Sequence, residues 1–97
     1  MRYEIGLSSR ALEDLRRLEA HTRAAVQDAL EVHLRYEPTK LSRSRIKRLR
    51  GLAQPQYRLR VGDIRVFYDV VEARVEILAI LSKPKVAEWL RERGRPL

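Results

Sequence analysis

The sequence predicts an α+β fold: an N-terminal strand, a helical hairpin packed on a mostly antiparallel four-stranded sheet, and a short C-terminal helix. Three observations predict it. Residues 57–81 alternate between apolar and polar side chains around two turn signals, as a strand meander does. Residues 9–37 place apolar side chains at helical spacing. A strongly basic stretch punctuated by Gly51 and Pro55 separates the two regions. At 97 residues the chain is read as one domain, 1–97.

Tyr3, Ile5 and Leu7 alternate with Arg2, Glu4 and Gly6, which makes the first segment a half-buried strand. Ser8 or Ser9 then caps a helix, and Leu12, Leu15 and Leu18 form its apolar stripe. The stripe resets near Thr22, a candidate second cap. Val26, Ala29, Leu30, His33 and Leu34 then follow one helical face until Pro38 ends it. No glycine or proline marks the bend, so one long helix is the alternative to a hairpin. Beyond the meander, Val86, Trp89 and Leu90 share one side of a last short helix, closed by Gly94 and Pro96.

Register follows from the turns. With Gly62-Asp63 as a two-residue turn, Arg60 faces Arg65, Leu59 faces Val66 and Arg58 faces Phe67. With Glu72-Ala73 as the next, Val70 faces Val75, Tyr68 faces Ile77 and Val66 faces Ala79. One sheet face then holds Tyr57, Leu59, Val61, Ile64, Val66, Tyr68, Val70, Val75, Ile77, Ala79 and Leu81, the core side. The other holds Arg58, Arg60, Arg65, Phe67, Asp69, Glu76, Leu78, Ile80 and Ser82.

The charge distribution bounds the function. The net charge is +8, and residues 38–62 contain eight basic and no acidic side chains, so this quarter of the chain holds the whole excess. Such a patch suits a polyanion or an acidic partner. Lys40, Arg43, Arg45, Lys47, Arg48 and Arg50 crowd the connector and lead directly into Arg58 and Arg60. Like charges opposed across strands repel, and guanidinium forks match phosphate oxygens in pairs. An anion-binding groove on the arginine face reconciles the two. Its simplest consequence is that removing Arg65 relieves a repulsion and leaves the fold at least as stable.

Other classes are not indicated. There is no cysteine, hence no disulfide framework or thiolate metal site. No apolar run has the length of a signal peptide or membrane span, so a cytoplasmic protein without membrane association is expected. No metal or other cofactor is expected. His21 and His33 fall within helical patterns, where a structural role is favoured.

"RLRGL" at 48–52 followed by "YRLRVGDIRVFYDVVEARVEILAI" at 57–80 resembles the RelE/ParE superfamily of toxins from type II toxin–antitoxin systems, more closely its RelE branch. The resemblance spans nearly the whole chain. It implies a toxin that cuts mRNA on the ribosome by 2′-hydroxyl attack, and an acidic antitoxin that silences it in a hetero-oligomer. It implies catalytic positions at Arg58, Arg60, Arg65 and Lys83, with RNA contacts from the six connector cations, Phe67 and Lys85. ParE-type members poison DNA gyrase instead, and a degenerate member would only bind its antitoxin. The chain departs from the RNA-cutting pattern at Ser82, Pro84 and Ala87, where histidine and tyrosine are expected, and no general base is assigned. Trp89 is expected to hold the last helix on the sheet rather than to stack on a base.

Overall fold

The computed structural model describes residues 1–97. Strand β1 (Glu4–Leu7) leads to helices α1 (Ser9–Arg17) and α2 (Ala20–Ala29), the second continued by a π-helical turn over Leu30–Leu34. Strands β2 (Ile46–Arg48), β3 (Leu52–Gln54), β4 (Tyr57–Val61), β5 (Ile64–Val71) and β6 (Arg74–Ser82) follow. A 3-10 turn at Lys83–Lys85, helix α3 (Val86–Arg93) and a two-residue strand β7 (Arg95–Pro96) complete the chain.

The helical region is two helices rather than one. Ser8 Oγ accepts the Ala11 amide at 3.0 Å and caps α1. The second cap is Glu19, whose carboxylate accepts the His21 amide at 3.1 Å, and not Thr22. Leu15, Val26, Leu30 and Leu34 are buried with Leu59, Val66, Tyr68, Val75 and Ile77 in the main core between helices and sheet. Tyr68 is fully buried, its ring stacked on Tyr57 and its hydroxyl donating to the Pro38 carbonyl at 2.7 Å.

The main sheet has five strands, in the order β1-β6-β5-β4-β2, with β1 parallel to β6 and the remaining pairs antiparallel. The fifth strand, β2, comes from the basic connector, where Ile46 is the one buried residue of the strand, opposite Leu59. A two-stranded ribbon of β3 and β7 ties the C-terminus to the loop after the connector. There the Leu97 amide donates to the Gly51 carbonyl at 3.1 Å.

Both hairpin turns fall where the sequence puts them. Gly62, at φ 57°, occupies the left-handed region that a β-branched or bulky residue would resist, and Arg60 faces Arg65 across it. The β5–β6 register departs from expectation beyond Tyr68↔Ile77. A bulge between Phe67 and Tyr68 pairs Phe67 with Ala79 and Val66 with Ile80, leaving Leu78 as the extra residue on β6. Every residue beyond it changes face. Ile80 enters the main core, whereas Ala79 and Leu81 join Phe67 and Trp89 in a second cluster on the opposite side.

The bulge is held from outside. The Ser8 hydroxyl donates to the Leu78 carbonyl at 3.1 Å, and the Ile80 amide donates to Asp14 at 2.9 Å. The groups that β1 no longer pairs thus have side-chain partners on α1 and its cap.

Candidate anion-binding site

The second sheet face is only partly open. Helix α3 lies across it, and Trp89 packs on Phe67 with ring centroids 5.0 Å apart. Phe67 is 0% exposed, so the expectation that it contacts RNA is corrected: it anchors α3, worth about 1.5–3 kcal/mol of buried apolar surface. Trp89 has the packing role expected of it.

Beside α3 the face stays cationic. β2 pairs Lys47 with Arg58, β4 pairs Arg60 with Arg65, and Arg45 precedes β2 with its carbonyl accepting the Arg60 amide at 2.8 Å. Five cations therefore share one corner of the sheet, three of them placed by strands the alternation identifies and two by the strand it does not. The four ion pairs of the chain, Arg10–Asp14, Arg17–Glu13, Arg35–Glu31 and Lys40–Glu37, involve none of the five.

The three arginines of the hairpin differ in environment. Arg65 is 8% exposed, and its Nη1 donates to the Gly62 and Ile64 carbonyls at 2.8 and 3.1 Å. Arg60 is exposed. Arg58, two residues before Arg60 on β4 and opposite Phe67, is half-buried, with a buried Nε–H that has no acceptor. Burial first, and then the charges of Arg65 and Arg60, lower the Arg58 pKa from its ordinary value. A donor that is desolvated, unpaired and surrounded by like charge has one general remedy, an anion.

The connector cations separate by face. Arg48 stands opposite Tyr57 on the helix side, its guanidinium 5.3 Å from the Tyr57 ring centroid and donating to the Gln56 carbonyl at 2.6 Å. It braces β4 rather than extending the arginine cluster. Lys40 pairs with Glu37 at 3.6 Å, while Arg43 and Arg50 are exposed on loops. Lys83 follows β6 directly, and its amide donates to the Asp63 carbonyl at 2.9 Å, which brings the 3-10 turn against the β4–β5 turn. Lys85 lines a groove of about 670 Å³ between α1 and the end of β6.

Proton-transfer groups are sparse on this face. His21 lies on α2 and His33 in the π turn, both in the helical layer across the sheet. Burial, with the Arg45 charge second, lowers the His33 pKa. Asp69 is no free base: it is 5% exposed and accepts from Gln54 Nε2 at 2.6 Å and the Gln56 amide at 2.8 Å. The arrangement can bind and stabilise developing negative charge, and it assigns no general base.

The family model described as the ParE toxin of type II toxin–antitoxin system, parDE, matches residues 5–85. Among solved structures, the RelBE2 toxin–antitoxin complex from Mycobacterium tuberculosis is similar at 25% identity and TM-score 0.73, covering 84% of this chain and 99% of that one. The archaeal RelE–RelB complex from Pyrococcus horikoshii is similar at 24% identity and TM-score 0.70, covering 86% and 97%. A double arginine-to-alanine mutant of Escherichia coli RelE in the free state matches at 24% identity and TM-score 0.69, covering 95% and 94%. No curated protein sequence matches the chain.

Proposed function

This chain belongs to the ParE toxin family of type II toxin–antitoxin systems, within the RelE/ParE superfamily, and we propose that it acts in the cytoplasm as an endoribonuclease on ribosome-bound mRNA. In this reading residues 1–97 work as one toxin domain. The observation that supports it is the corner of five cations without a carboxylate partner, one of which buries an unpaired N–H.

The chemistry suits fixed positive charge. The 2′-oxygen attacks the adjacent phosphorus and loses its proton, the bond to the 5′-oxygen breaks, and that oxygen takes up a proton as it leaves. Negative charge grows on the non-bridging oxygens in between, and preorganised donors aimed there form the largest catalytic contribution in most enzymes. Arg58, Arg60 and Arg65 are assigned to those oxygens and Lys83 to the leaving side. Arginine stays protonated throughout and cannot be the base. The nucleophile belongs to the substrate, so the mechanism calls on no metal or cofactor.

An acidic antitoxin is the proposed partner, in a hetero-oligomer. The solved relatives from M. tuberculosis and P. horikoshii are toxin–antitoxin complexes, and the charge of +8 offers complementarity. A second reading, a ParE-type poison of DNA gyrase, is favoured by the family model that matches and by the absence of histidine from the arginine face. Controlled expression separates the two. Rapid loss of protein synthesis, with new 5′ ends inside translated mRNA, is the expected result. Continued synthesis with accumulating DNA breaks would refute the ribonuclease and support the gyrase reading.

A further inference from the structure

Basic residues extend further across the sheet than the cluster at Arg58 requires. Arg45, Arg60 and Arg65 stand side by side on the leading edge of β2, on β4 and on β5. Adjacent strands lie about 4.8 Å apart, so the row is about 10 Å long. Its inner member is committed to turn carbonyls, but Arg45 and Arg60 are exposed, and neither guanidinium takes part in an ion pair. Between them is a small concavity of about 160 Å³ lined by Ser44, Arg45, Arg60 and Gly62, with no hydrophobic residue. The loop that carries Arg45 is fastened: Ser42 Oγ accepts the amides of Arg45 at 2.9 Å and Ile46 at 3.1 Å.

We propose that Ser44, Arg45, Arg60 and Gly62 form a second phosphate subsite next to the position at Arg58 and Arg65, with Arg60 shared between the two. It takes the phosphate of a neighbouring nucleotide, so that single-stranded RNA runs across the strands from β5 toward β2. The inference rests on the reading of this face as an RNA site and adds the direction and a separate binding position.

Polarity favours a nucleotide over a peptide here. An acidic peptide that orders on binding gains from large apolar side chains to pack on, and no hydrophobic residue lines this concavity. Two guanidinium forks and a hydroxyl around a tight glycine turn instead match the oxygens of one phosphate. Ser42 reduces the ordering cost by holding the loop in place before anything binds.

The test uses the purified chain and 2′-O-methyl oligoribonucleotides, which cannot be cut: a dinucleotide with one internucleotide phosphate and a tetranucleotide with three. Arg45→Gln is expected to weaken the tetranucleotide at least five-fold and leave the dinucleotide unchanged. It should also flatten the dependence of log affinity on log salt by about 0.7, the increment for one phosphate contact on a single strand. Ser44→Ala should weaken the longer probe in the same sense by a smaller factor. Arg58→Met, the control, should weaken both probes. If Arg45→Gln changes neither affinity nor slope, or weakens both probes equally, the separate subsite is wrong while the RNA site stands. A loss confined to antitoxin binding would likewise overturn it. If the parent binds neither probe, the RNA reading itself fails and takes this inference with it.

Discussion

Arg58 concentrates the conflict in this chain. Its cross-strand neighbours are Lys47 on one side and Phe67 on the other, so its stem packs while its head is crowded by charge. An unpaired buried N–H costs about 1–3 kcal/mol, and opposed like charges add up to about 1 kcal/mol. Arg58→Met keeps the stem and removes both penalties. It should melt at or above the parent temperature, since 1 kcal/mol corresponds to about 4–8 °C in a domain of this size. Cleavage of ribosome-bound mRNA should fall about 100-fold or more, as when one donor to a developing oxyanion is deleted. A variant that melts well below the parent would make Arg58 structural. Arg65 behaves differently from its sequence-based expectation. Buried and bonded to two turn carbonyls, it holds the hairpin, and Arg65→Ala gives up two hydrogen bonds of about 1 kcal/mol each. The facing of Arg60 and Arg65 is legible because Gly62-Asp63 fixes the turn. The burial of Arg65 and Phe67 is not, because the helix that covers Phe67 comes from residues 86–93.

At the scale of elements, the helices, β4, β5 and both turns follow from periodicity and turn chemistry, whereas β2 and the β6 register do not. β2 offers one apolar residue among cations, too few for any alternation to register. In β6, Ile77 to Leu81 are apolar on both faces, and a continuous apolar run cannot reveal a one-residue bulge. The loop before β4 depends on a single carboxylate. Asp69 accepts from the Gln54 side chain and the Gln56 amide, and Gln56 Oε1 in turn accepts the Val70 amide at 2.9 Å. Hydrogen bonds to a charged group are worth about 1.5–3 kcal/mol each, so losing the two at Asp69 in Asp69→Ala should destabilise the chain by about 3–6 kcal/mol. Hydrogen exchange should accelerate at Gln56 and in the β3–β7 ribbon more than at Arg60 in the β2–β4 pair. Uniform acceleration along the chain would mean that Asp69 does not act through this loop.

On the scale of the whole molecule, helices cover one face of the sheet and α3 covers part of the other, leaving a corner where five cations gather. A fold that keeps such a corner without internal counter-charge should be stabilised by whatever anion fills it. The gain follows RT ln(1 + [L]/Kd), about 1.8 kcal/mol for 20 mM inorganic phosphate if its Kd is about 1 mM. That corresponds to a rise in melting temperature of about 7–14 °C. Three effects must be separated. Any salt screens the repulsion, with a Debye length of about 10 Å at 0.1 M, so phosphate is compared with chloride at equal ionic strength. Phosphate also strengthens hydrophobic burial in every protein by exclusion from the surface, so Arg58→Met serves as the reference. That variant retains screening and exclusion but has lost the central donor. The parent should gain several degrees more from phosphate than from chloride, and Arg58→Met should gain the same few degrees as an unrelated domain. Equal responses in parent and variant would show that the crowded guanidinium groups are tolerated without any anion, and the argument for a phosphate site at this corner would fail at its root.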